Sequence, residues 1–375
     1  MPRKSQVLLI SAFHDYRTAK RASIHQVADA LVAAGYGVSF VSTRFSSISS
    51  RTGDSRVPLA RVSNRVQVVN EVRCLLWRTA LHPFSSGNDA VDWLMGHLYP
   101  IYADLPSAPF DALVRQADYI IVESSAAAIY LRRLRRLNPT AKLIYYAADR
   151  LDTVGAHPFI HRRLVSDQAL IDHFSLRASQ MKEDFTWATG PLFKAGFGID
   201  EAEYANVGPS PYPTGRRTAV SIGSMLFDPS VFQRAAPHFP DVEFHVIGCG
   251  MKFEAPPNVT IHPEMPFSRT LPYVKHASIG IAAYLPAKGC DYLSESSLKL
   301  AQFQYFALPA VCPSFAVGSV AERIGYTPGD DASIRRSVSR ALALAGTVKP
   351  HRFPSWQEVA LDVIEPVERG VPRLR

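Results

Sequence analysis

Gly208-Pro209-Ser210-Pro211-Tyr212-Pro213-Thr214-Gly215 stands a little past the middle of a 375-residue chain. Three prolines fix φ and remove backbone donors, and glycines bracket them, so the stretch reads as a stiff linker. Outward from it on both sides, short apolar runs alternate with amphipathic stretches. Toward the N-terminus, runs at 7–11, 38–42, 72–77, 119–122, 143–147, 174–178 and 193–199 predict strands. Residues 24–34 carry apolar side chains at helical spacing and stop at Gly35, a helix-ending glycine. Asn138-Pro139 separates an arginine-rich helix from the strand at 143–147. Past the linker, runs at 219–222, 242–247, 259–261, 279–283 and 310–312 repeat the rhythm. This alternation predicts the α/β class, with parallel sheets covered by helices. We therefore expect a domain over 1–207, a linker over 208–215, and a second domain over 216–375 that includes a C-terminal helix. Two doubly wound, Rossmann-like halves would face a central cleft at the carboxyl ends of their sheets, where such folds bind ligands.

Composition excludes several classes. An apolar share of 47% and a charged share of 20% exclude disorder. No apolar run reaches the roughly 18 residues that a spanning helix needs. Arg3 and Lys4 precede Val7-Leu8-Leu9-Ile10 as in a signal peptide, but the run is short and no cleavage site follows, so a buried first strand is expected. Cys74, Cys249, Cys290 and Cys312 form no C-x-x-C pair, which argues against zinc ribbons and for a reduced, cytosolic chain. Net charge is +8, and ten of the basic residues face three acids between Arg17 and Arg78. A second cluster runs from Arg132 to Arg136. Such patches attract polyanions, or are simply solvated surface. No nucleic-acid motif accompanies the charge. Leu75, Leu76 and Trp77 beside Arg73 and Arg78 predict an anionic membrane face.

The chemistry-bearing turns follow the strands. Ile222-Gly223-Ser224-Met225 and Ile247-Gly248-Cys249-Gly250 are two of them. The second lacks the third glycine and the downstream acid of a dinucleotide site and reads as a tight turn. Ser294-Glu295-Ser296-Ser297 predicts a helix start with Ser294 as N-cap, Lys299 one turn in, and Leu300, Phe303 and Phe306 as its buried stripe. Free N–H groups, hydroxyls and a lysine there would suit a diphosphate without a metal; an ordinary capped helix is the competing reading. Asp149 follows the strand at 143–147, as a cleft-facing acid or a turn aspartate. His14-Asp15-Tyr16-Arg17 could contact a sugar or phosphate, or satisfy loop backbone. His25 reads as a packed helix histidine. No His, Cys, Asp or Glu group has metal-ligand spacing.

Taken together, these stretches resemble the GumK-type glucuronosyltransferases of xanthan- and acetan-like exopolysaccharide assembly. The resemblance rests on an ordered set spanning nearly the whole chain. It includes His14-Asp15-Tyr16-Arg17-Thr18, Arg21-Ala22-Ser23-Ile24-His25, Leu76-Trp77-Arg78-Thr79 and Asn138-Pro139-Thr140 running on to Asp149. It continues through Gly223-Ser224-Met225-Leu226-Phe227-Asp228-Pro229, Glu264-Met265, Ser296-Ser297-Leu298-Lys299-Leu300 and Leu308-Pro309-Ala310-Val311-Cys312-Pro313. It implies a GT-B fold and an inverting transfer from UDP-glucuronate, without metal or cofactor. The implied acceptor is a mannose-terminated oligosaccharide on polyprenyl diphosphate, and the implied place is the cytoplasmic face of a bacterial inner membrane, held peripherally, with no nucleic-acid partner. By resemblance, Asp149 is the catalytic base. The nucleotide contacts fall on Met225, Glu264, Met265, Tyr284, Lys299 and Gln302, with Ser296, Ser297 and Leu298 alongside. The family's methionine beside the lysine is Leu298 here, which keeps an apolar contact. Its Gly-His-Gly is Gly196-Phe197-Gly198, which loses a polar side chain. Asp15, Arg17 and His25 are acceptor-side candidates. Competing functions are a GT-B epimerase or transferase acting on another UDP-sugar, and a non-catalytic glycolipid- or membrane-binding protein.

Overall fold

The structure is a computed structural model that describes residues 4–19, 21–49, 53–287 and 289–374. It divides into two compact units, residues 1–196 with 356–375, and residues 197–355. Both differ from the expected domains. The break falls at Gly196/Phe197, ahead of the proline-rich linker. The last helix, Trp356–Ile364, belongs to the first unit rather than the second. The physical reason is its apolar face: Ala360, Val363 and Ile364 are buried in one cluster with Ile24, Val27 and Leu31 of the helix Ser23–Ala33.

The first unit is built on eight strands: β1 (Gln6–Ser11), β2 (Gly37–Phe45), β3 (Gln67–Val69), β4 (Val72–Arg78), β5 (Tyr119–Glu123), β6 (Lys142–Ala147), β7 (His173–Leu176) and β8 (Leu192–Lys194). Their order is β3-β4-β2-β1-β5-β6-β7-β8, parallel except for the short antiparallel β3. The order reverses between β1 and β5, so the crevice beyond Ser11 and Glu123 is the topological switch point of this sheet. β4 shows what burial on both sides of a parallel sheet does to a sequence: Cys74, Leu75, Leu76 and Trp77 are all at or below 2% exposure.

That observation corrects the expected membrane anchor, because Trp77 packs inside against Phe110 and Tyr130. The second basic cluster is corrected as well. Arg132 pairs with Asp167, Arg133 with Asp111, Arg135 with Asp172 and Arg136 with Asp104. Part of the positive charge between Arg17 and Arg78 is likewise paired: Arg17 with Asp15 and Arg56 with Asp54 inside the fold, and Arg21 with Asp29 nearer the surface. Lys20 and Arg51 lie outside the described residues.

The second unit carries six strands: β9 (Arg217–Ile222), β10 (Val242–Ile247), β11 (Val259–His262), β12 (Ile279–Ile281), β13 (Ala310–Pro313) and β14 (Arg323–Tyr326). They run parallel in the order β11-β10-β9-β12-β13-β14, with the reversal between β9 and β12. One core cluster gathers Phe244 and Val246 of β10, Ile281 of β12 and Val311 of β13 against Phe232 and Val338 of the helices Ser230–Ala235 and Asp331–Leu344.

Candidate functional site

In the second unit the switch point brings together the turns after β9 and β12. The Asp228 N–H donates to the Ala283 carbonyl at 3.1 Å, and the Leu285 N–H donates to the Leu226 carbonyl at 2.6 Å. Met225 on the first turn is 44% exposed, while Tyr284 on the second is buried. The turn after β10 is pressed onto the same place. A side chain at Gly250, where φ is +75°, would put its Cβ 3.0 Å from the Ser224 Cβ, so only glycine fits without displacement. Glu264 follows β11, exposed, with its Cα 3.4 Å from where a Cβ of Gly248 would lie, and Met265 beside it is half-buried.

Tyr284 leads directly to the helix Leu298–Tyr305. Its hydroxyl is hydrogen-bonded to Ser297 Oγ at 2.6 Å, and Ser297 accepts the Leu300 N–H at 3.1 Å. Ser297 is therefore the N-cap, which corrects the expected cap at Ser294. Ser294 closes a separate short turn of helix, Leu293–Ser296, and donates its hydroxyl to the Asp291 carbonyl. With three hydroxyls in four residues, sequence could not choose the cap; Tyr284 does so by holding Ser297. The shift moves Lys299 into the first helical turn.

There, Lys299 is buried and its Nζ finds no hydrogen-bond partner among the described residues. Burial pushes its ammonium down to about 7. The Ser296 hydroxyl is likewise enclosed and unpartnered. A native fold rarely leaves two such groups unsatisfied so close in sequence, and they flank Ser297, where a helix start supplies free N–H groups and positive dipole. Leu298 is 36% exposed at the same end. Gln302 is buried, and its amide donates to the Tyr204 hydroxyl at 3.1 Å, so it anchors the helix to Tyr204.

In the first unit, Asp149 stands just beyond β6, half-buried, and its N–H donates to Ser124 Oγ at 3.1 Å. The expected acceptor-side groups turn out to be a structural knot. Asp15 accepts from the Arg17 N–H, from Arg17 Nε and Nη2, and from Ser42 Oγ, at distances of 2.8 to 3.0 Å. Although burial alone would raise its pKa, these donors hold its carboxyl below the usual range. Arg17 gives its remaining edge to Gln67. His25 is buried; its Nδ1 accepts the Ala22 N–H, so Nε2 carries the proton and donates to the Asp15 carbonyl at 3.0 Å. It caps the helix Ser23–Ala33 and stacks on Phe40.

What sequence reasoning missed is an apolar surface on the helix Asp89–Ala103. Val91, Leu94, Leu98 and Ile101 recur at helical spacing and are exposed, as is Trp93 at 70%. Beside it, a largely apolar cavity of about 730 Å³ is lined by Ile48, Leu81, Phe84, Met95, Leu98 and Ile101, among others. The spacing 91-94-98-101 was the available signal.

The family described as "Glucuronosyltransferase GumK, N-terminal domain" matches residues 9–177. The UDP-glucuronate:glycolipid 2-beta-glucuronosyltransferase of Xanthomonas campestris pv. campestris is 37% identical over the whole chain and 92% of its own length. The chain belongs to the GumK glucuronosyltransferase family. Its fold is GT-B, with two Rossmann-like units. Sucrose-phosphate synthase from Thermosynechococcus elongatus shares that fold at a TM-score of 0.62 and 11% identity, over 98% of each chain. Trehalose-6-phosphate synthase OtsA does so at 0.61 and 12%, over 96% of this chain and 95% of its own. Among the described residues no helix is long and apolar enough to cross a membrane.

Proposed function

We propose that this family member transfers glucuronate from UDP-glucuronate to a glycolipid, namely a mannose-terminated oligosaccharide on polyprenyl diphosphate, in exopolysaccharide assembly. The observation that carries the reading is the buried Lys299 ammonium, without a hydrogen-bond partner among the described residues, in the first turn of the helix that starts at Ser297. An isolated buried ammonium is costly, and a diphosphate would both pair it and restore its proton. Met225, Glu264, Met265 and Tyr284, on the converging turns, would hold the rest of the nucleotide.

The reaction is a single displacement with inversion. An acceptor hydroxyl attacks the anomeric carbon, the bond to the UDP oxygen breaks with its electron pair leaving on UDP, and Asp149 accepts the hydroxyl proton. The helix start and Lys299 stabilise the charge that grows on UDP, so no divalent ion is required. The apolar face Val91-Leu94-Leu98-Ile101 and its cavity fit a lipid-bearing acceptor and a peripheral hold on the cytoplasmic leaflet. The test is incubation with UDP-glucuronate and a synthetic mannose-terminated lipid acceptor. Release of UDP coupled to a new glycolipid is expected. Faster turnover of UDP-glucose or UDP-N-acetylglucosamine would overturn the donor, and UDP-glucuronate binding without transfer would overturn the activity.

A further inference from the structure

Glu123 is the last residue of β5 and lies at the switch point of the first sheet. Its carboxyl is enclosed, with one short hydrogen bond: Ser11 Oγ, at the end of β1, donates to Oε2 at 2.5 Å. Ser11 in turn accepts the N–H groups of Phe13 and His14. The other oxygen stands 3.9 Å from His14 Nε2. Arg177, after β7, is felt electrostatically, but it donates to the Gly196 carbonyl and the Tyr146 hydroxyl. Tyr145 and Tyr146 on β6 sense the carboxyl as well. The very next residue, Ser124, is the one whose hydroxyl receives the Asp149 N–H. Two adjacent residues at one strand end thus present a buried acid and the support of Asp149.

Resting on the reading of Asp149 as base, we propose that Glu123 is a positioning residue for transfer. Its ionisation, governed by its enclosure and by the Ser11 hydroxyl, places a negative charge at the carboxyl edge that also carries Asp149 and raises the proton affinity of that base. Burial pushes the Glu123 carboxyl up to about 7, with the Ser11 hydroxyl and Arg177 acting the other way. A carboxyl so placed is neutral in mild acid and charged in mild base. Transfer therefore rises with pH through a limb centred near about 7, well above the range of an ordinary glutamate. A purely structural glutamate would affect melting temperature but not that limb.

The experiment uses the full chain with UDP-glucuronate and the lipid acceptor, comparing wild type, Glu123→Gln, Ser11→Ala and Asp149→Asn. Carboxyl carbons of 13C-labelled glutamate are titrated in parallel by NMR. In Glu123→Gln we expect the resonance titrating near neutrality to vanish and the limb to flatten. Above neutral pH kcat should fall roughly three- to tenfold, with KM for the donor unchanged. Should Glu123→Gln fail to fold, Ser11→Ala retains the carboxyl, removes the donor that favours its ionised form, and should move the limb to higher pH. A Glu123 resonance titrating in the ordinary glutamate range, or a limb unmoved in both variants while Asp149→Asn is inactive, overturns this proposal alone. Transfer that survives Asp149→Asn overturns it together with the base assignment.

Discussion

The ammonium of Lys299 stands over the Tyr284 ring, 4.9 Å from its centre. A ring face is a weak substitute for water or a carboxylate, which is why the ammonium loses its proton so readily. The same tyrosine fixes the N-cap Ser297 through its hydroxyl. One side chain thus holds the helix start in place and faces a cation that has no hydrogen-bond partner among the described residues.

UDP binding should therefore take up a proton. At pH 8 the free protein holds Lys299 mostly neutral, whereas the diphosphate favours the ammonium, so uptake approaching about one proton is expected. Calorimetry of UDP binding in buffers of different ionisation enthalpy measures it. Lys299→Met should abolish the uptake and weaken UDP binding roughly 10- to 100-fold. The folded-state pKa lies below the unfolded value, so the wild-type protein loses stability as pH falls toward 7. Lys299→Met should lack that loss and melt no lower than wild type at pH 6.

Asp149→Asn keeps the shape of the side chain but removes its proton affinity. We expect kcat to drop by about 10²–10⁴-fold while UDP affinity stays within about twofold, since the proposed UDP contacts all fall in the second unit. Loss of UDP affinity in isothermal titration would mean that Asp149 supports the fold or the donor instead.

Transfer should survive EDTA. Among the described residues no three His, Cys, Asp or Glu side chains gather to hold an ion. In the proposed reaction Lys299 and the helix start would supply the positive charge that a metal otherwise gives a departing diphosphate. Activity restored only by added Mg²⁺ or Mn²⁺ after dialysis would contradict this.

Two tryptophans should behave oppositely. Trp93→Ala should cut co-sedimentation with phosphatidylglycerol vesicles and leave the melting temperature alone, since that ring is 70% exposed. Trp77→Ala should cost about 3–5 kcal/mol of stability, because that ring is buried among Phe110, Tyr102 and Tyr130. Denaturant unfolding and vesicle sedimentation on both variants separate the roles.

The contrast shows where sequence was legible. The central strands β1 and β5 carry continuous β-branched and aliphatic runs, Val7–Ile10 and Ile120–Val122, and those announce a parallel sheet by themselves. β14 was not read, because Arg323-Ile324-Gly325-Tyr326 is four residues with a charge and a glycine. The arginine is nevertheless buried, tied to Gln304 and to backbone carbonyls that only the folded chain assembles. Asp149, Lys299 and the converging turns were visible because they follow strand ends. Asp15 and Arg17 follow one as well, yet nothing in the sequence shows that they neutralise each other. Leu75-Leu76-Trp77 beside arginines suits a membrane edge as well as a central strand, and only the flanking β2 and β3 decide between them.

The return of Trp356–Ile364 to the first unit also sets an order of events during synthesis. The ribosome must deliver all of residues 197–355 before Ala360, Val363 and Ile364 can reach Ile24 and Leu31. Until then the nascent first unit carries an uncovered apolar face that any neighbouring chain can claim. The usual advantage of finishing the leading domain while the rest is still being made is therefore withheld from this protein.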